Sequence, residues 1–255
     1  MNIITDFSFY LLAVPIVLLA GMAKGGLGPG MVAISVPVLS FVIDPVRAAA
    51  IMLPILCIMD ILAVYHFRKQ FSACHLAILL PAGVTGIVIA SLLMGYLRPD
   101  AIRLIIGITV IMFCLDYWFR PDISRKKKGG RLSGYLWGTV AGFTSTQIHA
   151  GGAPVSIYLL PQRLDKVVLV GTMAIFFTVM NYLKLIPYTL MGIINLENLM
   201  TSFVLMPLAP IGVKLGNLIL NRLDQKIIYR LLYVVLFLSG VKLFYEGIST
   251  LLFLR

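Results

Sequence analysis

Apolar runs of about 15 to 25 residues recur along this whole chain, and each is about the length a helix needs to cross the hydrocarbon of a bilayer. Backbone groups in lipid must find their partners within the protein, so such a chain becomes helices or a closed barrel. The runs are near-continuous and lack the alternating, roughly ten-residue pattern of barrel strands, which leaves helices. The composition agrees: 60% of the 255 residues are hydrophobic and 12% charged.

Charges, glycines and prolines divide the chain into ten segments, at roughly 7–23, 29–43, 46–66, 72–96, 101–119, 132–148, 153–162, 166–190, 196–220 and 227–250. Two are short. As helices, 29–43 rises about 22 Å and 153–162 about 15 Å, against a hydrocarbon core of about 30 Å. Each follows a glycine-rich interruption, so broken or half-helices are expected at 21–43 and 142–162.

The net charge of +11 would point to nucleic acid or an anionic surface in a soluble protein; here the side of the membrane decides its meaning. The one long hydrophilic run, RPDISRKKKGGR at 120–131, reads as a cytoplasmic loop. Fourteen of the 21 Lys and Arg fall on its side of the membrane. Arg47, Arg98, Arg103 and Arg255 fall on the other, and Lys184, Lys214 and Lys242 lie within segments. Both termini are therefore expected outside. The N-terminus MNIITDFSFY lacks a basic region and a small-residue cleavage site, so it is expected to be retained.

The halves resemble each other: 1–119 and 132–255, joined by 120–131. Gly30 to Ala50 and Gly152 to Thr172 have the same spacing between a glycine-rich break and a long segment. PAGVTGIVIASLL (81–93) aligns with PLAPIGVKLGNLI (207–219), matching Pro81 with Pro207, Gly86 with Gly212 and Ala90 with Gly216. Five segments per half is an odd number, so the second half enters from the opposite side. The expected architecture is an all-α integral membrane protein of about ten helical segments in two inverted five-segment repeats. Secondary transporters of this kind hold their substrate near the midplane, where broken elements meet.

The breaks are GMAKGGLGPG (21–30) and GFTSTQIHAGGAP (142–154), each followed by a short helix with Pro29 or Pro154 near its start. Helix starts offer free N–H groups and a positive dipole end, and glycine lets a ligand approach them closely. Lys24 adds positive potential. The candidate substrate-binding set is Lys24, Gly25, Gly26, Gly28, Pro29 and Gly30 in the first half. In the second it is Thr144, Ser145, Thr146, Gln147, His149, Gly151, Gly152 and Pro154, together with Asn181. The ligand these suggest is a small anion.

Bland alternatives stand beside that reading. The glycines, with Gly86, Gly212 and Gly216, also suit close helix packing, and Lys24 also reads as an interfacial lysine. Asp60 and His149 are candidates for proton coupling, Asp60 alternatively as a partner for a lysine. Asp60, Asn181, Lys184 and Lys214 sit in long apolar segments, where such groups face an interior cavity or a partner; for Lys184, about 27 Å along its segment from Lys166, snorkelling to the outer surface is the favoured alternative. Met59 and Asn181 match in the repeat alignment.

Other chemistry finds no support. AKGG is not a phosphate-binding P-loop, and H-E-x-x-H, paired-cysteine and G-x-S-x-G patterns are missing. Cys57, Cys74 and Cys114 have no metal-ligand spacing. No metal, cofactor, ATP site or nucleic-acid partner is expected, only a small anion, the bilayer and a coupling ion such as a proton. Competing functions are an anion channel on the same scaffold and a non-transporting membrane enzyme or assembly factor. The scarcity of convergent acid, base or metal groups weighs against an enzyme.

AGMAKGGLGPGMVAISVPVL in the first half, then AGFTSTQIHAGGAPVSIYLL, GTMAIFFTVMNYLK and PLAPIGVKLGN in the second, resemble the TauE/SafE family of sulfite exporter-like membrane proteins, also called the toluene sulfonate uptake permeases. The resemblance implies a bacterial inner-membrane permease of two related halves that moves sulfite, sulfoacetate or other organosulfonates. GLGPG here stands where relatives often have a denser glycine cluster, and His149 is a further departure, so substrate identity stays open.

Overall fold

The structure, a computed structural model, describes residue 4 and residues 6–27, 29–67, 69–119, 128–219 and 225–253. Most of the basic 120–131 segment, and Gly28 of the first break, lie outside the described residues. The chain is helical, in the order α1 Phe7–Met22, α2 Ser35–Leu39, α3 Pro45–Phe67, α4 Ala73–Tyr96 and α5 Pro99–Phe119. There follow α6 Arg131–Ile148, α7 Gly152–Leu159, α8 Lys166–Leu190, α9 Leu196–Leu205, α10 Leu208–Ile219 and α11 Gln225–Phe253. Among the described residues five helices are long and apolar enough to cross a membrane, six with the bent α9–α10 pair.

Local chemistry sets the starts. The side chains of Asp6, Asp165 and Asn195 accept hydrogen bonds from Ser8, Val167 and Asn198 backbone N–H groups at the heads of α1, α8 and α9. Pro45 and Pro99 open α3 and α5, where a missing N–H costs nothing.

All ten expected segments are helical, with two refinements. The stretch 196–220 is two helices bent by 46° at Met206 and Pro207, because proline removes an internal N–H and crowds the preceding turn. The stretch 29–43 is a 3-10 turn, Pro29–Ile34, followed by the five-residue α2. Pro37 within α2 has no N–H to give the Ala33 carbonyl, so the α-helical ladder cannot extend back through it.

Four extensive pairings assemble the bundle: α6 on α4, α1 on α10, α3 on α8 and α5 on α11. Exchanging the two halves carries the first pair into the second and each of the others into itself. Glycines make the crossings close. A Cβ at Gly142 would lie 2.0 Å from the Gly83 carbonyl oxygen, and one at Gly86 2.1 Å from that of Thr139. On the other side Gly21 and Gly212 face each other, and a Cβ at Gly21 would lie 2.8 Å from the Gly212 Cα. Gly86, Gly212 and Gly216 are thus packing residues, as is the pattern in membrane helices where backbones approach through small residues.

α6 and α7 form a helical hairpin, an arm re-entrant in that α7 runs back toward the start of α6. α6 ends at His149, whose left-handed backbone (φ 56°) turns the chain; His149 N–H and Ala150 N–H close back onto Ser145 and Thr144 carbonyls. α7 then returns toward the start of α6, where Gln162 Nε2 donates to the Gly129 carbonyl at 2.9 Å. Its tip therefore lies inside the bundle beside α3 and α8.

Candidate functional site

Along one face of helix α8, Asn181, Lys184 and Tyr188 recur at i, i+3 and i+7. All three are buried. Buried polar groups need partners, and these three find theirs on the two breaks and on α3.

Asn181 Nδ2 donates to Asp60 Oδ2 of α3 at 2.5 Å, and Lys24, in the π-helical turn Ala23–Leu27 that follows α1, forms an ion pair with Asp60 Oδ1. Asp60 has no exposed surface, so its charge is sustained by those two donors. Lys24 Nζ also lies 5.5 Å from the centre of the Phe177 ring. The first break is thereby tied to α3 and, through Asn181, to the other half.

Lys184 ties the second break. Its Nζ donates to the Ser145 carbonyl at 2.9 Å and to Ser145 Oγ at 3.0 Å, and lies 3.0 Å from His149 Nδ1. His149 Nε2 lies 3.0 Å from the Ala49 carbonyl of α3. A carbonyl only accepts, so Nε2 carries the hydrogen and Nδ1 offers its lone pair to Lys184. Tyr188 hydroxyl donates to the Thr146 carbonyl. Lys184 is fully buried and does not snorkel to the surface. The re-entrant arm supplies acceptors at its depth, and these hold the ammonium inside.

A cavity of about 60 Å³ lies between these ties. Its wall includes Lys24, Ser145, His149, Gly152 and Asn181, with Leu56, Ala63, Met173 and Phe177 as apolar lining. That is room for roughly four waters or one small oxyanion. Lys184 and Tyr188, both fully buried, do not line this cavity and are held by the second break. Lys24 and Ala63 also line a second, more open cavity of about 240 Å³ with Gly25, Tyr65 and Lys214. Among the described residues no three His, Cys, Asp or Glu side chains converge as a metal site.

The candidate residues divide accordingly. Lys24, Ser145, His149, Gly152 and Asn181 meet at the central cavity. Thr144 and Thr146 give their hydroxyls to carbonyls of their own helix, Val140 at 2.9 Å and Gly142 at 2.8 Å. Gln147 is buried with its Oε1 unpaired, and Pro154 is buried; neither lines this cavity. Gly25 packs against the Val213 carbonyl, and Gly151 against Ala141 and Phe177. Gly26 belongs to the π-helical turn and Pro29 and Gly30 to the 3-10 turn. The first break therefore contributes a lysine side chain where an α-helical start was expected, since α2 is too short to carry a helix dipole. Lys184, Tyr188 and Phe177 were missed. Their signal was the polar stripe on α8, which places Lys184 on the face of Asn181.

Comparison with curated proteins and with solved structures gave no match. The model of one family, described as sulfite exporter TauE/SafE, matches residues 13–243, from within α1 to within α11 and through both breaks. With nearly its whole length matched, this chain belongs to the TauE/SafE sulfite exporter family of membrane proteins.

Proposed function

We propose that the protein is a secondary transporter that carries a small sulfur-containing anion, sulfite or an organosulfonate, by alternating access between two inverted repeats. The observation that carries this reading is the central cavity, where one ammonium, a hydroxyl, an imidazole and an amide converge in an apolar surround. A trigonal or tetrahedral oxyanion presents several acceptor oxygens to the ammonium, the hydroxyl and the amide, and charge-assisted hydrogen bonds in apolar surroundings are the strong ones. The apolar wall of Leu56, Met173 and Phe177 suits a short organic tail.

The substrate class is favoured by the family, whose name concerns sulfite export. Family membership favours a bacterial inner-membrane location, and the charge distribution favours a cytoplasmic 120–131 loop with both termini outside. Glycine-lined crossings of α4 with α6 and α1 with α10 leave few interlocking side chains to resist sliding of one half on the other.

Proteoliposomes test the function. Labelled sulfite or methanesulfonate uptake should be accelerated by the same anion inside, as a carrier requires. Conduction without counterflow stimulation would instead favour an anion channel, and no movement of either anion would remove the transport reading.

A further inference from the structure

Lys24 and Asn181 belong to the wall of the central cavity, whereas Asp60, the carboxylate they both hold, has no exposed surface and lies behind them. An oxyanion in the cavity thus meets a lysine already engaged by an oxyanion of the protein. We propose that Asp60 is a built-in occupant of Lys24, that the transported anion takes the ammonium over, and that Asp60 is protonated as it is released, so that one proton accompanies each anion. This rests on the reading of the cavity as an anion site.

The exchange balances. One Lys24 N–H turns from Asp60 Oδ1 to an oxygen of the anion, and the lysine keeps its charge. Oδ1 takes a proton from the bulk buffer, passed along water at the open side of the cavity, and becomes O–H. Oδ2 keeps its hydrogen bond from Asn181 Nδ2. Without the proton, two anions would share one ammonium in a largely apolar site, which like-charge repulsion and desolvation both oppose.

The surroundings leave this role to Asp60. It faces Lys24 from the first break and Asn181 from α8, with Lys184 and Tyr182 of α8 and Cys57 of α3 as its remaining titratable neighbours. His149, the other candidate for coupling, is committed on both nitrogens: Nε2 to the Ala49 carbonyl and Nδ1 to Lys184. A second ring proton would set an N–H against the ammonium. An anion at Lys24 takes no partner from His149, whereas it takes one from Asp60.

Calorimetry of the purified full chain tests this, with methanesulfonate as an anion that stays ionised and sulfite alongside it. Repeating each titration in buffers of different ionisation enthalpy counts the protons taken up. The expected result is about one proton per methanesulfonate near neutral pH, with affinity rising up to about tenfold for each unit the pH falls. Asp60→Asn should bind about tenfold or more tightly at pH 8, take up no proton and lose the pH dependence. Binding to the wild type without proton uptake overturns the proposal while leaving the anion site standing. Binding of neither anion overturns both. The wild-type buffer series decides the matter without any variant, should Asp60→Asn fail to fold.

Discussion

Replacing Gly142 by alanine should cost stability, although alanine is the better helix former. The new Cβ would lie 2.0 Å from the Gly83 carbonyl oxygen, 2.8 Å from its carbon and 2.9 Å from its Cα. Ordinary contact begins at 3.4 Å, so α4 and α6 must separate by about 1.4 Å, and all three obstructing atoms are backbone. A gap of that size forfeits a quarter to a half or more of each dispersion contact across the crossing. Overpacking of this kind costs about 1–3 kcal/mol, against a propensity gain of up to about 1 kcal/mol. The same change at Gly95, on α4, meets nothing within 4 Å and should be neutral or stabilise by up to about 1 kcal/mol. The assay is reversible unfolding in mixed detergent, followed by circular dichroism, for wild type, Gly142→Ala and Gly95→Ala. Equal stability of the two variants would refute the claim that this crossing is set by backbone contact. Because α6 carries Ser145 and His149, Gly142→Ala should also weaken anion binding where Gly95→Ala does not.

Other outcomes follow from the same contacts. Ser145→Ala should lower methanesulfonate affinity several-fold by calorimetry, since Ser145 lines the cavity, while Thr146→Val should leave it unchanged because that hydroxyl is spent on the Gly142 carbonyl. Tyr188→Phe removes the donor to the Thr146 carbonyl and should cost about 1 kcal/mol of unfolding free energy in detergent. Arg47→Gln breaks a part-exposed ion pair with Glu197 and the hydrogen bond from Arg47 Nε to Asn198 Oδ1, and should cost about 1–2 kcal/mol, of which high salt erases only the ion-pair share.

Much of the fold was legible because hydrophobic runs and their punctuation have few physical readings. Lys166–Leu190 and Ala73–Tyr96 follow from length alone, and the break at 149–151 follows from glycines that no apolar span needs. The bend at Pro207 was not legible from the run: Pro15, Pro54, Pro81 and Pro187 lie within continuous helices, so a proline alone does not tell a bend from a straight helix. At the site, Lys24 and Asn181 stood out as polar groups in apolar surroundings. Lys184 was misjudged because its distance along one helix says nothing of acceptors that the re-entrant arm brings from residues 35 to 39 positions earlier. Thr144 and Thr146 were overvalued for the reverse reason: a hydroxyl in a helix can turn to its own backbone.

The most direct measurement is the position of a bound anion. Selenite has the shape and charge type of sulfite and scatters anomalously, so crystals of the wild-type protein grown with selenite locate it without ambiguity. The anion-site account predicts a selenium peak in the central cavity, with selenite oxygens within hydrogen-bond reach of Lys24 Nζ and Ser145 Oγ. Selenite bound only elsewhere, with Lys24 still held by Asp60 and the cavity holding water, would contradict it.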